Sequence, residues 1–193
     1  MLGSEHTLTL YAGEHVVFGR HFNLGFGLPT SRFPLQFLEF YGLQIHHLGT
    51  NSILYLACLM MLCEGYFGFW PFSSLFHVFF HFRTQKNDNV PYACGGVVLH
   101  SRRNAFFPHM NLVESFKKWH RTFFYIRSVR EGHDWVNLPS FVDAPPNNSN
   151  WLLEPHNDEI IAILSRLKQL KVVEGLMPAN LVAAFISCRV LSL

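Results

Sequence analysis

Charged side chains are scarce in this sequence. They make up 15% of its 193 residues, whereas soluble domains usually carry about 25%. Hydrophobic residues make up 49%, which excludes an intrinsically disordered chain, because disorder requires low hydrophobicity together with high net charge. The length fits one domain, with or without an irregular arm, and the low charge predicts a surface that a partner covers.

Cysteine is also rare. The four cysteines are scattered along the chain, too few for a disulfide scaffold, and three of them lie in apolar runs. The first eleven residues lack the charged start and apolar core of a signal peptide. We therefore expect an intracellular protein, in the nucleus or the cytoplasm, and not a secreted one.

Recognisable catalytic motifs are missing as well. The sequence has no Gly-x-Ser-x-Gly elbow and no phosphate-binding loop, and its acidic residues are dispersed. His77 and His81 are four residues apart on a predicted helix, but no third ligand sits at a typical metal-site spacing. We expect no catalytic residue, no cofactor and no metal, so the chain is not predicted to be an enzyme.

A long uncharged region raises the question of a membrane span. Ser52 to Cys63 carries no charge, and Gly65 to Phe82 carries none either. A spanning helix needs about 20 consecutive apolar residues, and Glu64 interrupts this region. Two short buried helices, separated by Gly68 and Pro71, are the favoured interpretation, and a membrane segment is the less favoured alternative.

Helix signals dominate the first ninety residues. A short strand is expected near His15 to Phe18, and a helix is expected between Pro29 and Gly42. Thr50 begins a helix that is apolar on nearly every face, so it should be the central core helix. Its side chains expected to be buried are Leu54, Met60 and Phe67. A third helix is predicted over 72–82.

The middle of the chain changes character. Val97 to Leu99 is predicted to be a strand that turns back through residues 105–107. Trp119 to Ile126 is rich in aromatic and β-branched residues and is the strongest strand candidate. Residues 132–151 contain three prolines and four asparagines and are expected to form an extended linker.

Two helices are predicted at the C-terminal end. Asn157 or Asp158 can cap the first, Gly175 ends it, and Pro178 suits the first turn of the second. The predicted fold class is α+β, with an N-terminal helical layer, a small antiparallel sheet in the middle and two C-terminal helices. The expected division is a flexible arm at 1–15, a helical core with a small sheet at 16–131, a linker at 132–156 and a helical pair at 157–193.

Positive charge is concentrated between residues 102 and 130, where seven Lys or Arg residues face a single acid. If Trp119 to Arg127 is fully extended, every second side chain lies on one face, and this face holds both aromatic and basic residues. Such a face can bind single-stranded nucleic acid. The candidate nucleic-acid-binding residues are Arg102, Arg103, Lys117, Lys118, Trp119, Arg121, Tyr125 and Arg127. The favoured alternative is that the aromatic rings face the core and the arginine stems cover its rim.

Several segments carry a family resemblance. They include the runs 37–48 (FLEFYGLQIHHL), 63–68 (CEGYFG), 94–97 (CGGV) and 118–125 (KWHRTFFY), and the ending 181–193. Together they resemble the gypsy-type transposon domain of plant retroelements, over about residues 16–193. The chain departs from the usual family pattern at Gly49-Thr50, at Cys188 and at Ser192.

The resemblance implies an N-terminal, Gag-side portion of a retroelement polyprotein. The acidic tail and coiled coil that commonly follow such a domain are missing, so we expect a truncated or co-opted element. The implied function is non-enzymatic: association with a protein partner or with itself, and weak RNA or DNA contact through the basic segment. A membrane partner is not expected. The alternative is a domesticated host regulatory or stress-response factor derived from a transposon fragment.

Overall fold

A computed structural model describes most of this chain. The described residues are 11, 14–28, 30–87, 90–102, 107–108, 119–127, 129–130, 133–134, 138–139, 145 and 157–190. Most of the expected arm at 1–15 and most of the expected linker at 132–156 therefore lie outside the described residues.

Helices make up the larger part of the described structure. The six α-helices found there are α1 (Gly19–Asn23), α2 (Arg32–Tyr41), α3 (Thr50–Met61), α4 (Ser73–Phe79), α5 (Asp158–Val172) and α6 (Pro178–Phe185). Short 3-10 helices span Ile45–His47 and Trp119–Arg121. Wider, π-helical turns continue α3 over Leu62–Phe67 and α6 over Ile186–Val190.

The strands form antiparallel pairs. They are β1 (Glu14–Phe18), β2 (Phe80–Thr84), β3 (Lys86–Asn87), β4 (Val90–Pro91), β5 (Val97–Ser101), β6 (Phe123–Arg127), β7 (Val129–Arg130) and β8 (His133–Asp134). Within the described ranges, β1 pairs with β6, β2 with β5, β3 with β4 and β7 with β8. The α+β class predicted from the sequence is confirmed.

Local signals account for the helix ends. Gly42 follows α2 with a φ of 61°, a left-handed conformation that glycine adopts without steric cost. The Asn157 side chain caps α5 by accepting a hydrogen bond from the backbone N–H of Ile160 at 2.9 Å. Pro178 occupies the first turn of α6, where its missing N–H costs nothing.

Helix α3 lies at the centre of the molecule. It packs against α6 and β5, so the C-terminal helices and the middle strands share one hydrophobic core with it. The Ser52 hydroxyl ties its first turn to β5, because it accepts from the Leu99 N–H at 3.0 Å and donates to the Val97 carbonyl at 3.4 Å.

The apolar region is longer than expected as a helix. Thr50–Phe67 is continuous over 18 residues, and within the described part of the chain it is long and apolar enough to cross a membrane. In this fold 61% of it is buried against protein. Gly68 and Pro71 then separate it from α4, as the sequence predicts.

Burial within this region follows the helix turns. Leu59, Leu62 and Phe76 are fully buried, and Met60 is 6% exposed, as expected. Leu54 and Phe67 are only partly buried, at the margin of the core. The expectation that Leu54 and Phe67 are buried is therefore met only in part, because both side chains lie at the edge of the core.

The helix predicted over 72–82 ends at Phe79. From Phe80 the chain is extended, because this segment pairs with β5 in the register Phe80 to Ser101 and Thr84 to Val97. Buried and exposed side chains then alternate along β2, which is the two-residue period of a strand. Residues 105 and 106 of the expected return strand lie outside the described residues; among the described residues, β5 pairs with β2.

Candidate functional site

The aromatic and basic strand predicted from the sequence is present but shorter. Trp119–Arg121 forms a 3-10 turn, and only Phe123–Arg127 is extended. This strand, β6, pairs with β1 so that Phe123 lies opposite Phe18 and Arg127 lies opposite Glu14. The expectation of one strand from Trp119 onward is therefore wrong.

One face of β6 presents three side chains by strict alternation: Phe123, Tyr125 and Arg127. Phe123 is 38% exposed and Tyr125 is 44% exposed. Their rings contact each other edge to face, with centroids 5.7 Å apart. We call Phe123, Tyr125 and Arg127 the aromatic face.

An ion pair reduces the positive charge of the aromatic face. Arg127 Nη2 lies 3.4 Å from Glu14 Oε1 across the strand pair, and the arginine side chain is largely exposed. An exposed ion pair of this kind contributes little stability. The nearby carboxylate does, however, offset the charge that Arg127 would present to a polyanion.

The opposite face of β6 anchors the strand to the molecule. Ile126 is buried and belongs to the hydrophobic core. Phe124 stacks on Phe22 of α1, with centroids 5.4 Å apart and an angle of 25° between the rings. Phe124 nevertheless remains 42% exposed, so three consecutive residues of β6 present aromatic surface.

Trp119 is engaged within the fold. Its indole stacks on the imidazole of His21 with centroids 5.2 Å apart, and it meets Phe18 edge to face at 4.7 Å. It also packs on Gly95, where an added β-carbon would lie 2.6 Å from the ring. Trp119 is thus half-buried and holds the strand pair against the body of the protein.

The predicted basic residues are dispersed. Arg102 is partly buried at the end of β5, where its Nε donates to the carbonyls of His77 at 2.7 Å and Phe80 at 3.1 Å. Arg121 is exposed, two residues before β6. Arg103, Lys117 and Lys118 lie outside the described residues.

The structure therefore brings together Tyr125 and Arg127 from the predicted set, with Arg121 close in sequence. Arg102 and Trp119 serve the packing of the fold. The two-residue period placed Phe123 on this face, although it was not named as a binding residue. Sequence reasoning did not assign Phe124 to the site, although the aromatic run is the signal that locates it.

A second apolar surface was not foreseen. A groove of about 560 Å³ runs between α2 and the start of α4, lined by residues that include Phe37, Phe40 and Phe72. Phe40 is 63% exposed, and Trp70, next to the groove-lining Pro71, is 62% exposed.

The side chains of His77 and His81 lie in different environments. His77 is buried on α4 and its Nε2 lies 2.6 Å from the Tyr41 hydroxyl, whereas His81 is exposed on β2. Among the described residues, no group of three or more His, Cys, Asp or Glu side chains has a geometry that could hold a metal ion.

Comparison with known proteins gives one match, in the N-terminal part of the chain. Residues 16–84, from within β1 to the end of β2, match the model of the gypsy type transposon family, and this match covers part of the chain. The match ends before the further resemblances at 94–97, 118–125 and 181–193. No curated protein and no solved structure matches this chain.

Proposed function

We propose that this chain, whose residues 16–84 match the gypsy type transposon family, is a non-enzymatic, retrotransposon-derived protein that acts by associating with other protein surfaces. The observation that carries the proposal is the run of three exposed aromatic side chains, Phe123, Phe124 and Tyr125, on β6. Large exposed apolar patches typically mark sites of protein contact.

The charge of β6 favours a protein partner over a polyanion. Glu14 lies beside Arg127, so the aromatic face carries little uncompensated positive charge. Aromatic side chains supply large contact areas and are enriched at the centres of protein interfaces. Association with a second copy of this chain, or with another protein, is therefore the leading function.

Sedimentation velocity over a range of protein concentrations tests this association. We expect the wild-type chain to self-associate, and the Phe123→Ser/Tyr125→Ser variant to shift toward the monomer. Trp70→Ser is the matched control, because it also removes an exposed aromatic ring but is not part of β6 and lies next to the groove-lining Pro71. If the wild type stays monomeric, affinity capture with both variants extends the test to other proteins. Capture that is insensitive to Phe123 and Tyr125 would contradict the proposal.

Weak contact with single-stranded nucleic acid is a second candidate function. Its specific support is the aromatic face, where two aromatic rings and one guanidinium lie on the same side of the strand. Bases can stack on such rings, and the guanidinium can contact the phosphate backbone. Arg121 is exposed close by in sequence, and the sequence concentrates further basic residues between 102 and 118.

Filter binding with single-stranded RNA and with duplex DNA at two salt concentrations tests the nucleic-acid contact. Binding should weaken steeply with salt, because each phosphate contact releases counterions. Replacing Arg121, Lys117 and Lys118 with alanine should lower both the affinity and the salt slope. Arg166→Ala is the control, because Arg166 lies on α5 in an ion pair with Glu174. Absence of binding of both ligands at low salt would remove this function and leave protein association.

A domesticated host factor remains the alternative in a different class. Such a regulatory or stress-response protein would use the same aromatic surface on a host partner. Affinity capture from the native tissue, with bound proteins and RNA both identified, distinguishes this alternative from the leading proposal. Capture of retroelement proteins or RNA supports the leading proposal, and capture of one defined host protein supports the alternative.

A further inference from the structure

Two histidines face each other across the second strand pair. His81 on β2 lies directly opposite His100 on β5. Their imidazole rings stack with centroids 5.5 Å apart and an angle of 23° between the planes. Both side chains are exposed, because Phe80, Phe82 and Leu99 take the inner face of the pair.

Arginines surround this histidine pair. Arg83 follows His81 by two residues on the same exposed face and lies diagonal to His100, within reach of a long side chain. Arg102, two residues after His100, is anchored through its Nε to the carbonyls of His77 and Phe80. We call His81, Arg83 and His100 the histidine face.

We propose that the histidine face binds a tetrahedral oxyanion, such as a phosphate group, between the two imidazole rings and the Arg83 guanidinium. Every ionisable group on this face is a hydrogen-bond donor or a cation, which is the chemistry that phosphate oxygens require. The site is separate from β6 and does not depend on the function proposed for that strand.

The same charges disfavour a metal ion at this position. A cation between the two rings would lie close to Arg83 and Arg102, and like charges repel. Within the described residues, no cluster of three potential ligands supplies a compensating carboxylate or thiolate. An anion instead relieves the repulsion between the arginines and a protonated histidine.

Acid should strengthen the binding. Partial burial lowers the pKa of His81, and the neighbouring His100, Arg102 and Arg83 lower it further; the pKa of His100 is lowered by burial and by Arg83. Both imidazoles are therefore neutral at and above neutral pH and gain protons on acidification. A bound anion favours the protonated form, so the affinity for the anion must rise as pH falls.

Groups on the other side of the strand pair do not face the site. Helices α3 and α4 pack there and place Tyr55 and His77 in buried positions. The Tyr55 pKa is raised by burial, and His77 contacts the Tyr41 hydroxyl. Within the described part of the chain, the charges that act on the histidine face are thus those of β2 and β5 and of Arg102.

Sulfate titration followed by NMR of the histidine ring signals tests the proposal in the full chain. Sulfate keeps its double charge across this pH range, so any pH dependence comes from the protein. We expect signals of His81 and His100 to shift on titration, with a dissociation constant about fivefold lower near pH 5.5 than near pH 7.5. His81→Gln/His100→Gln should abolish the pH dependence, and Arg83→Gln should weaken binding at both pH values. His120→Gln is the control. Burial and Arg121 also lower the pKa of His120, but this residue does not belong to the histidine face.

Two further arms identify the ligand. Competition by a short oligothymidylate supports a nucleic-acid backbone as the source of the phosphate, and competition by orthophosphate alone supports a small phosphorylated ligand. Absence of His81 and His100 shifts with sulfate near pH 5.5 would overturn the proposal. So would Ni²⁺ binding by the histidine pair without any sulfate binding, because the site would then be a metal site.

Discussion

The indole ring of Trp119 stacks on the imidazole ring of His21, with centroids 5.2 Å apart and an angle of 28° between the planes. His21 is fully buried on α1, and Trp119 begins the turn that leads into β6. The contact therefore joins the N-terminal layer to the candidate binding strand. The protonation state of one buried histidine is consequently linked to the attachment of β6.

Acid should destabilise the protein through His21. Burial lowers its pKa to about 3, while the Leu48 backbone opposes this shift more weakly. The unfolded chain protonates near the ordinary histidine pKa of about 6.5, so the stabilisation is complete above that pH and is lost as pH falls from 6.5 toward 3. The loss from this single group approaches about 1.4 kcal/mol per pH unit.

Urea unfolding at several pH values measures this dependence. His21→Phe keeps an aromatic ring beside Trp119 but cannot titrate, so its free energy of unfolding should fall less steeply below pH 6.5. His120→Gln should keep the steep slope, because His120 is much less buried than His21. Equal slopes for the wild type and His21→Phe would show that the buried imidazole does not carry the effect.

Burial along α3 should be visible in matched leucine truncations. Leu59 is fully buried, whereas Leu54 lies on the same helix at the margin of the core. Leu59→Ala should lower the free energy of unfolding by about 2–5 kcal/mol, because it leaves a cavity. Leu54→Ala should cost clearly less. Equal losses in chemical denaturation would mean that Leu54 is as enclosed as Leu59.

The turn before β5 should not tolerate a β-carbon at Gly96. An added β-carbon there would collide with the backbone carbonyl of Tyr92, and a backbone atom cannot rotate away. Gly96→Ala should lower the free energy of unfolding by about 1–3 kcal/mol, as overpacking does. Gly27→Ala is the matched control, since nothing lies within 4 Å of its added carbon. A neutral Gly96→Ala variant in urea unfolding would contradict this packing.

Alkylation should distinguish the cysteines. Cys58 and Cys63 are buried in α3 and its continuation, and burial raises both thiol pKa values, that of Cys58 to about 12. The thiolate is the reactive form, so these two should be labelled only after unfolding. Cys188 is exposed and should react with iodoacetamide in the native protein. Mass spectrometry of the labelled peptides checks this, and native labelling of Cys58 at the rate of Cys188 would contradict the packing of α3.

Much of the helical architecture could be predicted from the sequence. Gly42, Asn157 and Pro178 act on the chain within one helical turn, and they end α2, cap α5 and begin α6 as expected. The central position of α3 follows from its apolar composition. These features were predictable because capping, chain reversal and helical periodicity are short-range properties of the backbone and its neighbours.

The candidate site was predicted less completely. The two-residue period predicted Phe123, Tyr125 and Arg127 on one face, together with Trp119 and Arg121, and Arg102 was also assigned to the candidate site. Trp119 instead packs on Phe18 and His21, about a hundred positions earlier in the chain. No local pattern reports such a contact, because an exposed and a packed tryptophan look alike in a sequence.

Tertiary structure also decided where helix gives way to strand. The sequence by itself determined the helices whose ends and apolar stripes are local, together with the concentration of aromatic and basic residues near β6. The sequence did not determine that the helix ends before Phe80–Thr84. That segment is extended only because Val97–Ser101 pairs with it. That pairing also sets His81 opposite His100, because strand register depends on a partner distant in the chain.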